Sequence, residues 1–258
     1  MKTIKIKKTG KTAEVWLSRP EVHNAFDAAM ISELTEAFLA FSSQPDVRSV
    51  IITGEGKSFC AGADLNWLGA SRQAPYEKHL EDTLKLSAMF RAVYDLDKPV
   101  IAAVNGTALG GGMGFLAVSD VVIAARDAVF GLSEVKIGVV PACISPYLFM
   151  RCSNRAKLKE YFMSGERFSA RAAIEAGLVD YICERQKALE AALEKARLFE
   201  RAAPKAQGMC KQLFRDVPLM PLDAAARYTA SALAKIRTGE EAHRGIDAFF
   251  EKRKIEWE

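Results

Sequence analysis

The chain has 258 residues, half of them hydrophobic, and a formal net charge of +4. That is enough apolar material for one large core, and basic residues spread along the chain without forming a stripe argue against a nucleic-acid partner. No apolar run reaches the roughly 18 residues of a membrane helix, and Cys60, Cys143, Cys152, Cys183 and Cys210 form no C-x-x-C pair, so neither a membrane partner, a disulfide framework nor a zinc site is expected and a reducing cytoplasm is the expected location.

In chain order, IKIKK (4–8) and AEVWLS (13–18) flank the turn TGK and predict a first hairpin. Asp27 stands where a cap would open a helix over about 27–42. VRSVIIT (47–53) predicts a strand, and a helix is predicted over about 76–95. PVIAAVN (99–105) and DVVIAA (120–125) are almost wholly apolar, as strands covered on both faces are, and LVDYIC (178–183) is a later strand. A third helix opens inside NGTALGGGMGFL (105–116). After about residue 186 helical signals take over at 187–203, 204–215, 222–238 and 240–254, punctuated by Pro204, Pro218 and Pro221. The pattern is α/β with a helical tail. Leu233, Ile236, Ile246, Phe249 and Phe250 in that tail need burial, against another copy or against the chain's own core.

Several familiar motifs fail. GEGKS (54–58) would need the first glycine of a phosphate-binding loop at Ile51. The glycines at 106, 110, 111, 112 and 114 do not spell G-x-G-x-x-G, so no dinucleotide cofactor is expected. No G-x-S-x-G elbow exists, and His23, His79 and His243 lie far apart without partners at ligand spacing, so no metal is expected.

What remains as chemistry is main chain and carboxylate. SFCAGADLNWL (58–68) and NGTALGGGMGF (105–115) each follow an apolar strand and lead by small residues into a helix, which in a parallel sheet places both at carboxyl ends of strands. Bare backbone admits a ligand, and two such loops facing each other would offer two N–H donors to one oxyanion. Either loop alone is better read as a turn or a tight helix–strand contact; their joint occurrence, together with the next element, changes the balance. In AVFGLSEVKIGVVP (128–141), Glu134 stands among apolar residues. Desolvation there would raise its pKa toward that of a general acid/base; a solvated glutamate at a strand end is the plain alternative.

The order HNAF (23–26), FCAGADL (59–65), NGTALGGGMG (105–114), FGLSEVKIGVVP (130–141), GERFSARAAIEAGLVD (165–180) and AFFEKRK (248–254) resembles the enoyl-CoA hydratase/isomerase, or crotonase, superfamily over nearly the whole chain. ADLNW, LSEVKIG, PACISPYL and EKRKIEW look most like its methylglutaconyl-CoA hydratases. The resemblance implies a spiral of ββα units over residues 1–195 and a helical oligomerisation region over 196–258, in a homotrimer or a dimer of trimers. It implies that the N–H groups of Ala63 and Gly111 hold the thioester oxygen of an acyl-CoA and that Glu134 is a catalytic glutamate. Ala61, Asp64 and Leu65 would line the adenine side, Ala25 the pantetheine arm, and Phe249 and Lys252 would reach the nucleotide of a neighbouring subunit. No separate cofactor is implied, since CoA is part of the substrate.

Many hydratases of the superfamily carry a second glutamate where this chain has Gly114. Its absence is expected to leave room for a branched or carboxyl-bearing acyl group, with Trp67 a further candidate for the substrate site or simply a packing anchor. Hydration at C2=C3 through an enolate is the favoured chemistry. A Δ3–Δ2 enoyl-CoA isomerase using one glutamate, and a binding module for acyl-CoA or RNA with decayed chemistry, remain open on the sequence.

Overall fold

The computed structural model describes residues 1–257. Strands β1 (Ile4–Thr9) and β2 (Thr12–Leu17) form the predicted hairpin, closed at Gly10, whose φ of +59° suits a residue without Cβ. Helix α1 (Ala28–Ser42) opens on Asp27, whose side chain accepts the Met30 N–H at 2.9 Å. Then follow β3 (Ser49–Gly54), β4 (Ser58–Cys60), α2 (Leu65–Ser71), α3 (Tyr76–Asp95), β5 (Val100–Val104), β6 (Thr107–Leu109), α4 (Gly112–Val118), β7 (Val121–Ala125) and β8 (Val129–Gly131). The remainder runs α5 (Ser145–Arg151), α6 (Arg155–Ser164), β9 (Arg167–Ser169), α7 (Ala170–Glu175), β10 (Tyr181–Cys183), α8 (Ala188–Phe199), α9 (Pro204–Asp216), α10 (Leu222–Arg237) and α11 (Glu240–Phe250).

Two sheets share these strands. A six-stranded sheet has the order β1-β2-β3-β5-β7-β10, and a four-stranded sheet the order β4-β6-β8-β9. The chain steps from one to the other three times, β3 to β4, β5 to β6 and β7 to β8, each time returning through helical segments. This repeated ββα step is the crotonase-type spiral. The second sheet is built wholly of three-residue strands, too short to show a period, and none stands out in the sequence. Its presence corrects one expectation. The two bare loops leave β4 and β6 of this small sheet, not the long apolar strands before them.

The long strands are buried on both faces, which is why their sequences are continuously apolar. Val50, Ile52, Val100, Ala102 and Val104 face the main core with Leu34 and Phe38 of α1 and Phe90 and Val93 of α3. Ile51, Ile101, Ala103 and Ile123 face the other way and are covered by Ala192 and Ala196 of α8. Helix α8 therefore belongs to the sheet, and the expected division at residue 195 cuts through it. The next helix is tied to the same body: Lys211 Nζ of α9 donates to Asp120 Oδ2 at 2.8 Å and Lys98 O at 3.1 Å. Beyond it Leu222, Leu233, Phe249 and Phe250 remain exposed on the single chain.

Two predicted helices end early for local reasons. Ala203 before Pro204 is extended (ψ 125°), as a residue preceding proline prefers, which separates α8 from α9. After α11, Lys252 adopts φ +53° and Arg253 N–H returns to Ala248 O at 3.0 Å, closing the helix C-terminus in the 6→1 manner usually given to glycine.

At the centre of the main core, Phe26, Phe59 and Phe90 surround Phe115 with ring centroids 5.3–6.5 Å apart. Phe115→Ala removes the middle ring of this cluster and is expected to cost about 3–5 kcal/mol, read as a lower midpoint in denaturant unfolding with an unchanged slope.

Candidate active site

The site begins with a short zipper between two loops. Ala61 N–H donates to His23 O at 3.0 Å, Phe26 N–H to Gly62 O at 2.8 Å and Asp64 N–H to Phe26 O at 2.9 Å, an isolated parallel bridge centred on Phe26 and Ala63. The alternation of a parallel bridge turns the N–H of Ala63 away from the 23–26 segment. It meets no acceptor among the described residues.

The second loop passes close behind the first. A Cβ added at Gly62 would lie 2.8 Å from Leu109 O and 3.1 Å from Gly111 N, and Gly62 itself has φ +90°. Only a residue without side chain fits on both counts. Gly111 caps α4, and its N–H also has no acceptor among the described residues. A Cβ at Gly111 would overlap the Phe26 ring, so the aromatic cluster forms the floor beneath both loops.

Glu134 completes the group. It lies on a short 3-10 turn, Ser133–Ile137, stopped by Gly138 at φ +77°, and not on the strand, which ends at Gly131. Its carboxyl packs on Gly110, where an added Cβ would be 3.2 Å from Oε1 and 3.6 Å from Oε2. Oε2 is buried with no hydrogen-bond partner among the described residues. Burial raises the Glu134 pKa above the ordinary 4.5, and little opposes it except its own backbone N–H. Ala63, Gly111 and Glu134 are thus brought to one place by residues 62, 110 and 111.

The room expected beside Gly114 does not exist. This glycine is buried, and a Cβ on it would come within 2.5 Å of Ile144 Cγ2 and 2.6 Å of the Phe90 ring. The space that a second carboxylate would need is filled by two apolar side chains, one from α3 and one from the turn before α5. No local pattern signals this, because Phe90 is a core-facing residue of an ordinary helix 24 positions before Gly114 and Ile144 lies 30 positions after it.

The other candidates are placed as follows. Ala25 is buried, and its carbonyl accepts from Arg19 Nη1 at 2.6 Å. Asp64 is buried, and its side chain is committed to structure: Oδ1 accepts the Asn66 N–H at 2.8 Å, capping α2, and Oδ2 accepts Arg19 Nη2 at 2.8 Å. Burial works against its charge, yet the hydrogen bonds from Asn66, Arg19 and Trp67 hold its carboxyl below the usual aspartate value. Leu65 is exposed at the first position of α2. Trp67 is half-buried; it packs against the main core and also lines an open cleft of about 460 Å³ together with Arg19, Asp27, Asp64 and Asn66. Phe249 and Lys252 stand exposed at the end of α11, with no hydrogen bond or ring contact to either loop among the described residues.

Sequence reasoning missed Arg19 and did not single out Asn24. Asn24 is fully buried at φ +57°, and its Nδ2 donates to Glu55 O at 2.9 Å and Ser58 O at 2.8 Å, fixing the start of the 23–26 segment. Its place in HNAF was the available signal, since asparagine is one of the few residues that tolerates a left-handed backbone.

A ββα step taken three times, with two unpartnered main-chain donors among the described residues beside a desolvated carboxylate, defines a protein of the crotonase fold class. Residues 7–258 match the profile of the enoyl-CoA hydratase/isomerase family, to which the chain belongs. It is 35% identical over 260 residues to a carnitinyl-CoA dehydratase of Salmonella typhi, covering 99% of this chain and 98% of that protein. Among solved structures, it superposes on an enoyl-CoA hydratase of Shewanella pealeana with a TM-score of 0.94 at 33% identity, covering 99% of this chain and 96% of that one. An enoyl-CoA hydratase of Polaromonas gives a TM-score of 0.93 at 33% identity, with 99% of each chain covered.

Two outcomes follow from the packing. Gly114→Ala is expected to destabilise by about 1–3 kcal/mol through overpacking, and a double-mutant cycle with Phe90→Leu is expected to recover part of that loss. Glu134→Gln is expected to raise the melting temperature at pH 8 by about 2–4 °C, because an unpaired buried charge is removed. A raised carboxyl pKa weakens the fold only where the group is ionised, so this gain should shrink as pH falls through the Glu134 pKa, where the wild-type side chain is neutral too.

Proposed function

We propose that the protein adds water across the C2=C3 double bond of a 2-enoyl-CoA through an enolate. The observation that supports this reading is the close approach of the Ala63 and Gly111 segments, whose two N–H groups have no acceptor among the described residues, beside the buried and unpartnered Oε2 of Glu134. In this mechanism Glu134 takes a proton from water as its oxygen bonds to C3. The π electrons move onto the thioester oxygen, where the two amides stabilise the charge by about 3 kcal/mol each. The enolate collapses, and protonated Glu134 returns its proton to C2, so that the carboxylate is regenerated and water has been added.

Desolvation serves this cycle because a raised pKa makes the carboxylate a stronger base toward water in the first half, and the proton it gains there is the one C2 receives in the second. Ala25, Ala61 and Leu65 are the proposed CoA contacts of the same subunit. Asp64 would contribute through its backbone, its carboxylate being held by Arg19 and the Asn66 N–H. No metal or redox group is needed, and CoA belongs to the substrate. The apolar surface of α10 and α11 fits covering by further copies in a homotrimer or a dimer of trimers, with Phe249 and Lys252 then available to a neighbour's nucleotide. Methylglutaconyl-CoA is the first branched substrate to offer, although Phe90 and Ile144 remove the argument that space beside Gly114 selects it.

A second reading, a Δ3–Δ2 enoyl-CoA isomerase, is favoured by that same packing. With no second carboxylate, one glutamate moving a proton from C2 to C4 through a dienolate accounts for the site equally economically. Conjugated and β,γ-unsaturated acyl-CoA esters separate the two. Loss of the conjugated chromophore with formation of a 3-hydroxyacyl product supports hydration, whereas its appearance from the β,γ-ester without water uptake supports isomerisation. In either case Glu134→Gln is expected to lower kcat/KM by about 10²–10⁴. The acid limb of the wild-type pH profile is expected above 4.5, activity falling as pH drops and Glu134 gains its proton. A fully active Glu134→Gln protein would refute the mechanism.

A further inference from the structure

The loop that carries Ala63 has a weak point. Three backbone hydrogen bonds zip residues 61–64 to residues 23–26, all on one side of the strand, and on the other side the Ala63 N–H meets no acceptor among the described residues. Past Ala63 the chain turns at once into α2, a helix of seven residues with no buried side chain. An amide that must meet a developing oxyanion to within a few tenths of an ångström needs a firmer anchor than that.

Arg19 supplies one. Its side chain is 18% exposed, and the guanidinium sits at the junction of three segments. Nη1 reaches Ala25 O at 2.6 Å and Asp27 Oδ2 at 3.2 Å, while Nη2 reaches Asp64 Oδ2 at 2.8 Å. Asp27 and Asp64 are the caps of α1 and α2. One rigid fork therefore joins the beginning of both helices to the carbonyl next to Phe26, the residue on which the bridge to Ala63 is centred. The arginine's own backbone is fixed by Asn24, whose Oδ1 accepts the Arg19 N–H at 3.0 Å and whose N–H donates to Arg19 O at 2.8 Å. Arg19 also lines the open cleft, but two carboxylates already surround its charge, which leaves it poorly suited to hold a substrate phosphate. A planar fork with fixed donor directions suits bridging three oxygens in a way a lysine does not.

We infer that Arg19 is a positioning residue: through Asp64 it holds the Ala63 N–H in the direction the enolate oxygen requires. The inference rests on the enolate reading above. Misplacing one reacting group by about 1 Å costs on the order of 100-fold in rate, so loss of the fork should act on kcat and spare ground-state binding.

The test uses the full-length protein with Arg19→Met, Asp64→Asn and the double variant. Asparagine still caps α2, so Asp64→Asn severs the same tether from the other end in a chain that keeps its helix start. Melting temperature is measured for each. Activity is read as kcat and KM on whichever enoyl-CoA ester the wild type converts, and hole geometry as the pH midpoint of the enolate absorbance of bound acetoacetyl-CoA. Each single variant is expected to lose about 10- to 100-fold in kcat with KM changed by less than about threefold, and its enolate midpoint should move to higher pH. The double variant should be no worse than the poorer single, since both cut one tether. Wild-type kcat and enolate midpoint in either folded single variant, or additive losses in the double, overturn the inference. A rise in KM at unchanged kcat overturns it too, making Arg19 a ligand-binding group. A wild-type protein that stabilises no enolate refutes the reading of the site itself, whereas a competent wild type beside equally competent variants refutes the role of Arg19 alone.

Discussion

The structure depends on two stretches of main chain lying closer together than any side chain would allow. Gly62 passes Leu109 O and the Gly111 amide at a spacing that a methyl group would close, while Gly111 lies against the Cζ edge of the Phe26 ring. This approach puts the Ala63 and Gly111 donors in one neighbourhood, and it leaves Gly110 bare for the Glu134 carboxyl to lie against. Bulk at any of these positions would push apart the elements that give the site its shape.

Electrostatics and packing then pull in opposite directions. A carboxylate with a buried oxygen and no partner is unfavourable for folding, and the rigid surroundings keep it there. Phe115 and its three aromatic neighbours supply much of that rigidity, since the same rings that fill the core support the loops from below. Phe90 has two roles of this kind. It belongs to the cluster, and with Ile144 it fills the space over Gly114, so the apolar core extends to the side of the site where a second acid would stand. The chemistry available to one glutamate is set as much by these side chains as by the glutamate.

Much of the frame was legible beforehand because its causes are local. Helix α3 begins and ends at the predicted residues, α1 opens on Asp27, and the runs at 47–53, 99–105 and 120–125 are strands because a sheet covered on both faces needs apolar residues at every position. The helical pattern of the tail is plain in its sequence, but its attachment is not. Ala192 and Ala196 look like any helix face in sequence, and only the sheet residues opposite them assign α8 to the core. In the site, the motifs located Ala63, Gly111 and Glu134, whereas Arg19 gave no local sign because its three partners are spread over residues 25–64.

The sequence by itself determined the α/β alternation, the strands of the large sheet, the starts of α1, α3 and the tail helices α8 to α11, and the family, since periodicity, caps and ordered motifs are properties of neighbouring residues; α5, α6 and α7 were not legible in it. Tertiary structure decided the rest. A three-residue strand such as Ser58–Cys60 exists only by virtue of its partner, the elevated pKa of Glu134 comes from what excludes water around it, and the closed space at Gly114 is occupied from α3 and from Ile144. Pairing, desolvation and steric exclusion are set by residues distant in the chain, and no local pattern encodes where the fold will bring them.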